Sequence, residues 1–283
     1  MSLNNPTSNL KDINLFCFGL GYTAGHLTTL LPSVKGTSKT GHHDTFAFTD
    51  AVAVQKALQQ ATHVLISIPP VDSKDIVLTS FLKNLNKLPN LKWVGYLSAT
   101  SVYGDHQGGW VDETSRCHPS TSRGVERLNI ESEWLASALP LHIFRLSGIY
   151  GKGRSVFNRL QSKSIKRIDK PGHLFSRIHV EDIGQLLKAS MFMPTPGEIF
   201  NVADDLPAES RDLIEYACRL LKIPAPPLIP FEKADLSVMA KEFYQDNKKV
   251  ANKKIKDYFD IDLTYPTYKE GLLSIFKSRD PFQ

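Results

Sequence analysis

The sequence predicts an α/β fold in which a doubly wound parallel sheet carries helices on both faces. Six short apolar runs are separated by helical patterns, and the 283 residues suffice for one large domain and a smaller lobe. The runs are apolar almost throughout instead of alternating, as is typical of strands that are buried on both faces. We therefore expect a large sheet domain followed by a small C-terminal α/β lobe.

Strands and helices alternate along the first half of the chain. The apolar runs predict strands at residues 13–18, 34–37, 45–49, 63–68, 93–98 and 142–146. The amphipathic stretches between them predict helices at residues 22–31, 51–60, 74–88 and 123–138. Ligands of such sheets bind beyond the carboxyl ends of the strands, so the residues that follow each strand are the first site candidates.

A glycine-rich turn follows the first predicted strand. Its residues are Gly19, Leu20, Gly21, Tyr22, Thr23 and Ala24. Gly19 permits a tight turn, Gly21 lets the backbone approach a phosphate, and the small Ala24 lets the helix pack on the strand. The helix then presents free N–H groups to the anion. This pattern is typical of the pyrophosphate site of Rossmann folds, and a fortuitous turn is the alternative.

The loop after the second predicted strand bears on the choice of dinucleotide. NAD-specific proteins usually place a carboxylate there, whereas this chain has Ser38 and Lys39. A lysine and a hydroxyl can bind the 2′-phosphate of NADP, so NADP is preferred and NAD stays possible; Lys39 could also be a solvated loop residue. Asp50 ends the third strand and could approach the adenine, or could cap the following helix.

The turn after the fourth predicted strand contains two prolines. Ser67 and then Pro69 and Pro70 stand directly beyond the apolar run. Because proline fixes its own backbone angle, this turn is rigid. We expect it to form a wall beside the pyrophosphate or the nicotinamide ribose.

Composition limits the compartment and the partners. No apolar run approaches the roughly 20 residues of a membrane span, and the N-terminal residues contain no apolar signal core, so a soluble, cytoplasmic protein without membrane association is expected. Three widely spaced cysteines fit reduced thiols. The formal net charge is +5, but the basic clusters at 162–170 and 247–256 lack interleaved aromatics, which favours solvated faces over nucleic-acid binding. The histidines show no metal-ligand spacing, so no metal site is predicted.

Five segments carry a resemblance to a known family. They read FGLGYTAG near the N-terminus, YLSATSVYGD at 96–105, RLSGIYGKGR at 145–154, RIHVEDI at 177–183 and FNVADDLP at 200–207. In this order and spacing they resemble the extended short-chain dehydrogenase/reductase family, the nucleotide-sugar epimerases and dehydratases, and look closest to its atypical NAD-dependent epimerase/dehydratase branch. The resemblance covers nearly the full length.

The resemblance implies a division of the chain. Residues 1–150 would form the NAD(P)-binding Rossmann domain, and residues 151–283 would form mainly the substrate-binding lobe, with 175–205 returning to the sheet. The resembling proteins commonly form homodimers through two helices, one of them equivalent to residues 123–138. Their substrates are nucleotide sugars, so the resemblance implies a nucleotide sugar or a related phosphorylated metabolite as the small-molecule substrate.

The family's chemistry depends on three groups, from which this chain departs. They are a Ser or Thr after the fifth strand and a Tyr and Lys four residues apart on the next helix; aligned on the motifs, these positions hold Ala99, Arg123 and Arg127. Arginine stays charged, so Arg123 suits an anionic substrate group better than proton transfer, whereas Arg127 could hold the nicotinamide ribose. The alternative is a pair of exposed arginines bonded to Glu126 or Glu131.

Other side chains near the predicted cleft could supply chemistry. The candidates for proton transfer are Tyr103, Ser98 and Thr100. Tyr103 could instead be a packing residue, and the two hydroxyls could cap the strand end. The candidates for substrate binding, beside Arg123, are Tyr150, Lys152, Arg154 and His179. Residues 151–155 precede a helix-like stretch and could hold a second phosphate, whereas His179 could be a buried residue that orients its turn.

Two classes of function remain open. The first is an NADP-dependent epimerase, dehydratase or reductase with an unconventional acid/base. The second is a non-catalytic NADP-binding sensor or regulatory protein of the same fold. Function resides in the site and the site is altered, so the fold alone does not decide between them. We favour the enzyme.

Overall fold

A seven-stranded parallel sheet is the centre of the protein. The structure is a computed structural model that describes residues 9–42 and 44–278. Residues 1–8, on which the expectation of no export signal partly depends, lie outside the described residues. The strands are β1 (Leu15–Phe18), β2 (Val34–Ser38), β3 (Thr45–Ala47), β4 (His63–Ile66), β5 (Trp93–Ala99), β6 (Trp110–Val111), β7 (Leu141–Leu146), β8 (Gly148–Tyr150), β9 (Arg167–Asp169), β10 (Arg177–His179), β11 (Ile199–Val202), β12 (Leu228–Pro230) and β13 (Lys249–Val250). The sheet order is β3-β2-β1-β4-β5-β7-β11, with every neighbouring pair parallel. The predicted fold class is confirmed.

Helices cover both faces of this sheet. They are α1 (Tyr22–Gly25), α2 (Ala51–Leu58), α3 (Ile76–Leu85), α4 (Ser122–Leu135), α5 (Val156–Gln161), α6 (Val180–Phe192), α7 (Ser210–Leu221), α8 (Val238–Phe243), α9 (Lys253–Phe259) and α10 (Tyr268–Lys277). Leu15 and Cys17 of β1 pack in one buried cluster with residues of α1, α6 and α9. Phe16 and Phe18 point to the other cluster, which α2, α3 and α4 cover. Successive strand residues therefore serve opposite cores.

The first predicted helix is shorter than expected. An α-helix spans only Tyr22–Gly25, and the chain continues as a 3-10 helix at His26–Thr29. The Thr28 hydroxyl donates to the Gly25 carbonyl at 2.7 Å, and the Thr29 hydroxyl donates to the His26 carbonyl at 2.8 Å. Threonine hydroxyls that bond back along the chain compete with regular helical hydrogen bonds, so the turn tightens here.

A buried ion pair fixes α4 to the sheet. Glu131 of α4 and Arg145 of β7 are 2.7 Å apart between Oε2 and Nη2, and their side chains are 2% and 5% exposed. The Nε of Arg145 also donates to Glu131 Oε1 at 3.2 Å. The pairing leaves neither charge isolated in the interior, as a buried charge requires.

The C-terminal part of the chain adds a lobe with its own core. Its buried residues come chiefly from α5, α7 and α10 and form one cluster around Tyr150 and Leu272. The two-residue strands β6 and β13 pair in parallel and so connect residues 110–111 with the lobe.

The basic segment 247–256 is largely charge-paired. Four of its lysines each lie within ion-pair distance of a carboxylate: Lys248, Lys253, Lys254 and Lys256. No helix of the described chain is both long and apolar enough to cross a bilayer.

Candidate functional site

Two clefts open at the carboxyl ends of the central strands. The first cleft has a volume of about 650 Å³ and is lined by residues 19–23, 37–39, 67–69, 97–99, Arg127, 146–149 and Arg154. The second cleft has a volume of about 660 Å³ and is lined by residues 69–70, 99–101, Thr121, Arg123, Glu126, Arg127, 146–148, 174–176, Glu242, Phe243, Asp246, Lys248 and Val250. The first is formed chiefly by the sheet domain, whereas the lobe supplies one wall of the second.

The two glycines of the turn after β1 differ in their surroundings. Gly19 has a φ of +88°, and a Cβ there would lie 2.8 Å from Cγ1 of Ile68. Its N–H donates to the Thr37 hydroxyl at 3.0 Å, which fixes the turn to β2. A Cβ on Gly21 would meet no described heavy atom within 4 Å. Gly19 is therefore required by the fold, whereas Gly21 leaves open space on the cleft side of the turn.

Most of the predicted cofactor-binding residues line the first cleft. They are Gly19, Leu20, Gly21, Tyr22, Thr23, Ser38, Lys39, Ser67, Pro69 and Arg127. Three do not: Ala24 is buried in the core beneath the turn, Pro70 lines only the second cleft, and Asp50 caps α2 by accepting from the Ala53 N–H at 3.0 Å. For Asp50 the capping alternative is the one that the structure shows.

The first cleft is positively charged. Lys39, Arg127 and Arg154 line it, and no carboxylate of the described residues does. Cationic groups in a concave site raise the local concentration of anions. The lining therefore suits an anionic ligand such as a dinucleotide.

Arg123 and Arg127 of α4 do not form the ion pairs with Glu126 or Glu131 that the sequence leaves as the alternative. Glu131 is bonded to Arg145, and Glu126 accepts a hydrogen bond from the Ser73 hydroxyl at 2.7 Å. Arg127 instead donates from Nη1 to the Leu97 carbonyl at 2.9 Å and lines both clefts. Arg123 is exposed in the second cleft and has no hydrogen-bond or ion-pair partner in the described part of the chain.

The two clefts meet beyond the ends of β5 and β7. Their shared lining residues are Pro69, Ala99, Arg127, Leu146, Ser147 and Gly148. The hydroxyls of Ser98 and Ser147 are buried and have no hydrogen-bond partner among the described residues. An unpaired buried hydroxyl costs free energy that a bound ligand can recover. Sequence reasoning missed Ser147; its only signal was its place directly after the strand in RLSGIYG.

Tyr103, the first candidate for proton transfer, lies in the core. Its ring is fully buried, and its hydroxyl donates to Asn201 Oδ1 at 2.7 Å. The guanidinium of Arg145 lies 4.9 Å from the ring centroid. Burial raises the pKa of Tyr103 to about 12. Tyr103 lines neither cleft, whereas Thr100 lines the second and Ser98 the first.

We expect Tyr103→Phe to lower stability and to leave ligand binding unchanged. The substitution leaves Asn201 Oδ1 without its buried donor, which should cost about 1 to 2 kcal/mol of unfolding free energy. Urea denaturation followed by circular dichroism measures this loss. Unchanged stability together with altered binding in either cleft would contradict the packing role.

Two of the predicted substrate residues are also buried away from the clefts. The Tyr150 hydroxyl lies 3.4 Å from the Thr267 carbonyl inside the lobe core. His179 caps α6, and its ring centroid lies 4.0 Å from that of Tyr265. Burial lowers the pKa of His179 to about 4. The alternative of a buried histidine that orients its turn is the one that the structure shows.

Two further predicted substrate residues, Lys152 and Arg154, lie near the first cleft. Lys152 is exposed and lines neither cleft, but its carbonyl accepts a hydrogen bond from the Tyr22 hydroxyl at 3.1 Å. Arg154 lines the first cleft and not the second. The N–H of Ser155 donates to Asn158 Oδ1 at 3.0 Å, so it is not free to bind a phosphate.

A lysine of the lobe enters the second cleft unexpectedly. Lys248 belongs to the basic segment that the sequence favours as a solvated face, yet its side chain is only 10% exposed. Its Nζ donates to the Gly104 carbonyl at 2.9 Å and to Asp246 Oδ2 at 3.1 Å. Burial lowers the pKa of Lys248. The composition of the segment could not reveal the burial of Lys248, because the residues around its side chain come from distant parts of the chain.

No group of three or more His, Cys, Asp and Glu residues within the described ranges is arranged to hold a metal ion.

Comparison with known proteins identifies a close structural relative. No protein-family model matches the chain. A functionally unknown conserved protein from Silicibacter pomeroyi is 42% identical, with a TM-score of 0.83 over 93% of this chain and 98% of that one. Protein YeeZ of Escherichia coli is 33% identical over 110 residues, and this match spans only 38% of each protein.

More distant solved structures share the fold. A dTDP-glucose 4,6-dehydratase from Bacillus anthracis in complex with NAD has a TM-score of 0.76 at 16% identity and covers 94% of this chain and 96% of its own. The human epimerase family protein SDR39U1 with NADPH has a TM-score of 0.73 at 15% identity, covering 94% of this chain and 100% of its own. The resemblance to the extended short-chain dehydrogenase/reductase family is confirmed at the level of the fold.

Proposed function

We propose that this chain, which belongs to one family with the Silicibacter pomeroyi protein and has the fold of NAD-dependent epimerases and dehydratases, is an NADP-dependent oxidoreductase of that general kind. The observation that carries the proposal is the junction of the two clefts at Ala99, Arg127 and Ser147. A dinucleotide that lies along the first cleft would bring its nicotinamide to this junction. A substrate in the second cleft would meet it there.

The residues of the first cleft fit a nicotinamide dinucleotide. Gly21 leaves room at the turn for the pyrophosphate, and the unpaired Ser98 hydroxyl can bond to a polar ligand group. Arg127 would donate to the ribose hydroxyls, the role that the family's lysine has. Lys39 at the end of β2 would bind the 2′-phosphate. Relatives of this fold have been crystallised with NAD and with NADPH, so the preference for NADP depends on Lys39 and on the missing carboxylate.

Lys39→Glu should weaken NADP binding far more than NAD binding. The change removes a charged contact to the 2′-phosphate and adds repulsion, which should cost about 1 to 3 kcal/mol for NADP alone. Calorimetric titration with both dinucleotides measures the difference. Lys35→Glu is the matched control, because Lys35 is exposed on β2, the strand that Lys39 follows, and does not line the first cleft. Equal affinity of the wild type for NAD and NADP would contradict the assignment.

The second cleft is lined by three basic residues and by three acidic ones, Glu126, Glu242 and Asp246, and its basic residues could bind the anionic group of a nucleotide sugar. Arg123 is exposed there and has no hydrogen-bond or ion-pair partner among the described residues, and Arg127 lines the same cleft. Phe243 stacks on Phe175 with ring centroids 4.5 Å apart, which provides an apolar wall on the lobe side. A relative of the same fold binds UDP-glucose and UDP-glucuronic acid. We propose that Arg123 binds a phosphate or carboxylate of such a substrate.

Proton transfer needs a group other than those of the conventional triad. The nicotinamide, when bound, supplies or accepts a hydride. Ala99 offers no hydroxyl, and Arg123 does not release its proton. Thr100 can hydrogen-bond a substrate oxygen in the second cleft, with Ser98 on the cofactor side. We propose Lys248 as the group that exchanges the proton, because this residue lines the second cleft and burial lowers its pKa against the opposing effect of its ion pair with Asp246.

The replaced triad also favours a second candidate, a non-catalytic NADP-binding sensor. Incubation of the protein with NADPH or NADP and either UDP-glucose or UDP-glucuronic acid separates the two. Epimerases and dehydratases return the cofactor to its starting state, so the sugar nucleotides must be analysed by chromatography as well as the nicotinamide absorbance. Conversion of a sugar nucleotide supports the enzyme. Tight NADP binding without conversion of either sugar nucleotide favours the sensor.

A further inference from the structure

We infer that Arg154 binds the pyrophosphate of the dinucleotide and not a phosphate of the substrate. This inference rests on the proposed function, since it concerns the same cofactor. It departs from the expectation that the loop after β8 belongs to substrate binding. In the fold this loop reaches back from the lobe to the glycine-rich turn.

The loop is held against the glycine-rich turn by direct contacts. The Tyr22 hydroxyl donates to the Lys152 carbonyl at 3.1 Å. A Cβ on Gly151 would lie 2.5 Å from that hydroxyl, so the backbone of the loop lies as close as a glycine allows. Gly151 and Arg154 exchange backbone hydrogen bonds of 3.1 and 3.0 Å, which closes the loop into a tight turn. The position of Arg154 is therefore fixed relative to Tyr22.

Arg154 lies beside the part of the cleft that a pyrophosphate would occupy. Its guanidinium carbon is 5.7 Å from the ring centroid of Tyr22, the residue directly after Gly21. It is exposed in the first cleft and forms no ion pair with a described carboxylate. A guanidinium that lies beside an aromatic ring and not against a carboxylate keeps its N–H groups free for phosphate oxygens.

Arg154 differs in position from Lys39 and Arg127, the other two cations of the first cleft. Lys39 follows β2, where the adenosine ribose of a Rossmann dinucleotide would lie, and Arg127 also lines the second cleft, where the nicotinamide would meet the substrate. Arg154 adjoins the turn between them. The three cations would thus bind three successive parts of one ligand. Each part can be tested with a fragment that lacks the others.

The experiment is calorimetric titration of the full chain with NADP, ADP, adenosine 2′-monophosphate and UDP. Arg154→Gln should weaken NADP and ADP by about tenfold, because one charge-assisted contact to the pyrophosphate is lost. It should leave adenosine 2′-monophosphate unchanged, since that fragment has no pyrophosphate. Lys152→Gln is the matched control from the same loop and should change neither affinity. Both side chains are exposed, so both variants should keep the wild-type circular dichroism spectrum.

The outcomes distinguish this inference from the proposed function. A loss for UDP with unchanged ADP binding would overturn the inference and return Arg154 to the substrate. Equal weakening of adenosine 2′-monophosphate and ADP would also overturn it, because it would show only a general effect of charge. Wild-type protein that binds no dinucleotide would refute the proposed function itself.

Discussion

Gly21→Val is expected to abolish dinucleotide binding while the fold stays intact. A Cβ on Gly21 meets no described atom of the protein within 4 Å, and its φ of −102° is accessible to any residue. The added side chain would therefore occupy only the space through which a pyrophosphate approaches the backbone. We expect no measurable binding of NADP by calorimetry and an unchanged circular dichroism spectrum.

The neighbouring glycine provides the contrasting control. Gly19 has a φ of +88°, and a Cβ there would clash with Ile68 at 2.8 Å, so Gly19→Val should destabilise the protein itself. The two variants thus separate a ligand effect from a folding effect at two glycines of the same turn. If Gly21→Val binds NADP as the wild type does, the dinucleotide lies elsewhere.

Glu131→Ala is expected to produce the largest loss of stability. The substitution leaves Arg145 charged and nearly inaccessible to water, and such an unpaired buried charge typically costs about 3 to 5 kcal/mol. Urea denaturation gives the change in unfolding free energy. Because Arg145 also lies over the ring of Tyr103, the region beyond β5 should loosen as well.

A matched substitution on the same helix tests the cause. Glu133 is exposed on α4, and Glu133→Ala should change stability by no more than about 0.5 kcal/mol. A similar loss in the two variants would mean that the removal of any carboxylate from α4, and not the break of the buried pair, lowers the stability. The double variant Glu131→Ala and Arg145→Leu should recover part of the loss, since it removes the isolated charge.

The centre of the sheet was predictable because β1 and β4 are apolar at nearly every position. Leu15, Cys17, Phe16 and Phe18 contribute in turn to two different cores, so the sequence shows a continuous run and not an alternation. The ends of the helices were harder to predict from the sequence. The early end of α1 depends on two threonine hydroxyls that bond backwards, which periodicity does not reveal.

The site was predictable only where a motif fixes the local backbone. The turn at Gly19 and Gly21 lines a cleft as its pattern indicates. Tyr103 also follows a strand end, but its side chain turns inward to Asn201, and a residue's place in the sequence does not give the direction of its side chain. Arg154 and Lys248 were assigned to other surroundings because their neighbours are distant in sequence. Tertiary folding alone brings Arg154 to Tyr22 and Lys248 to Gly104.

The shared wall of the two clefts has a consequence for the order of events during turnover. Ala99, Ser147 and Gly148 line both clefts, so a dinucleotide in the first would become part of the surface of the second. The substrate would then bind to a surface that is incomplete until the dinucleotide has arrived, and each ligand would raise the affinity for the other by the same factor. Under the proposed function, the dinucleotide would therefore bind before the substrate.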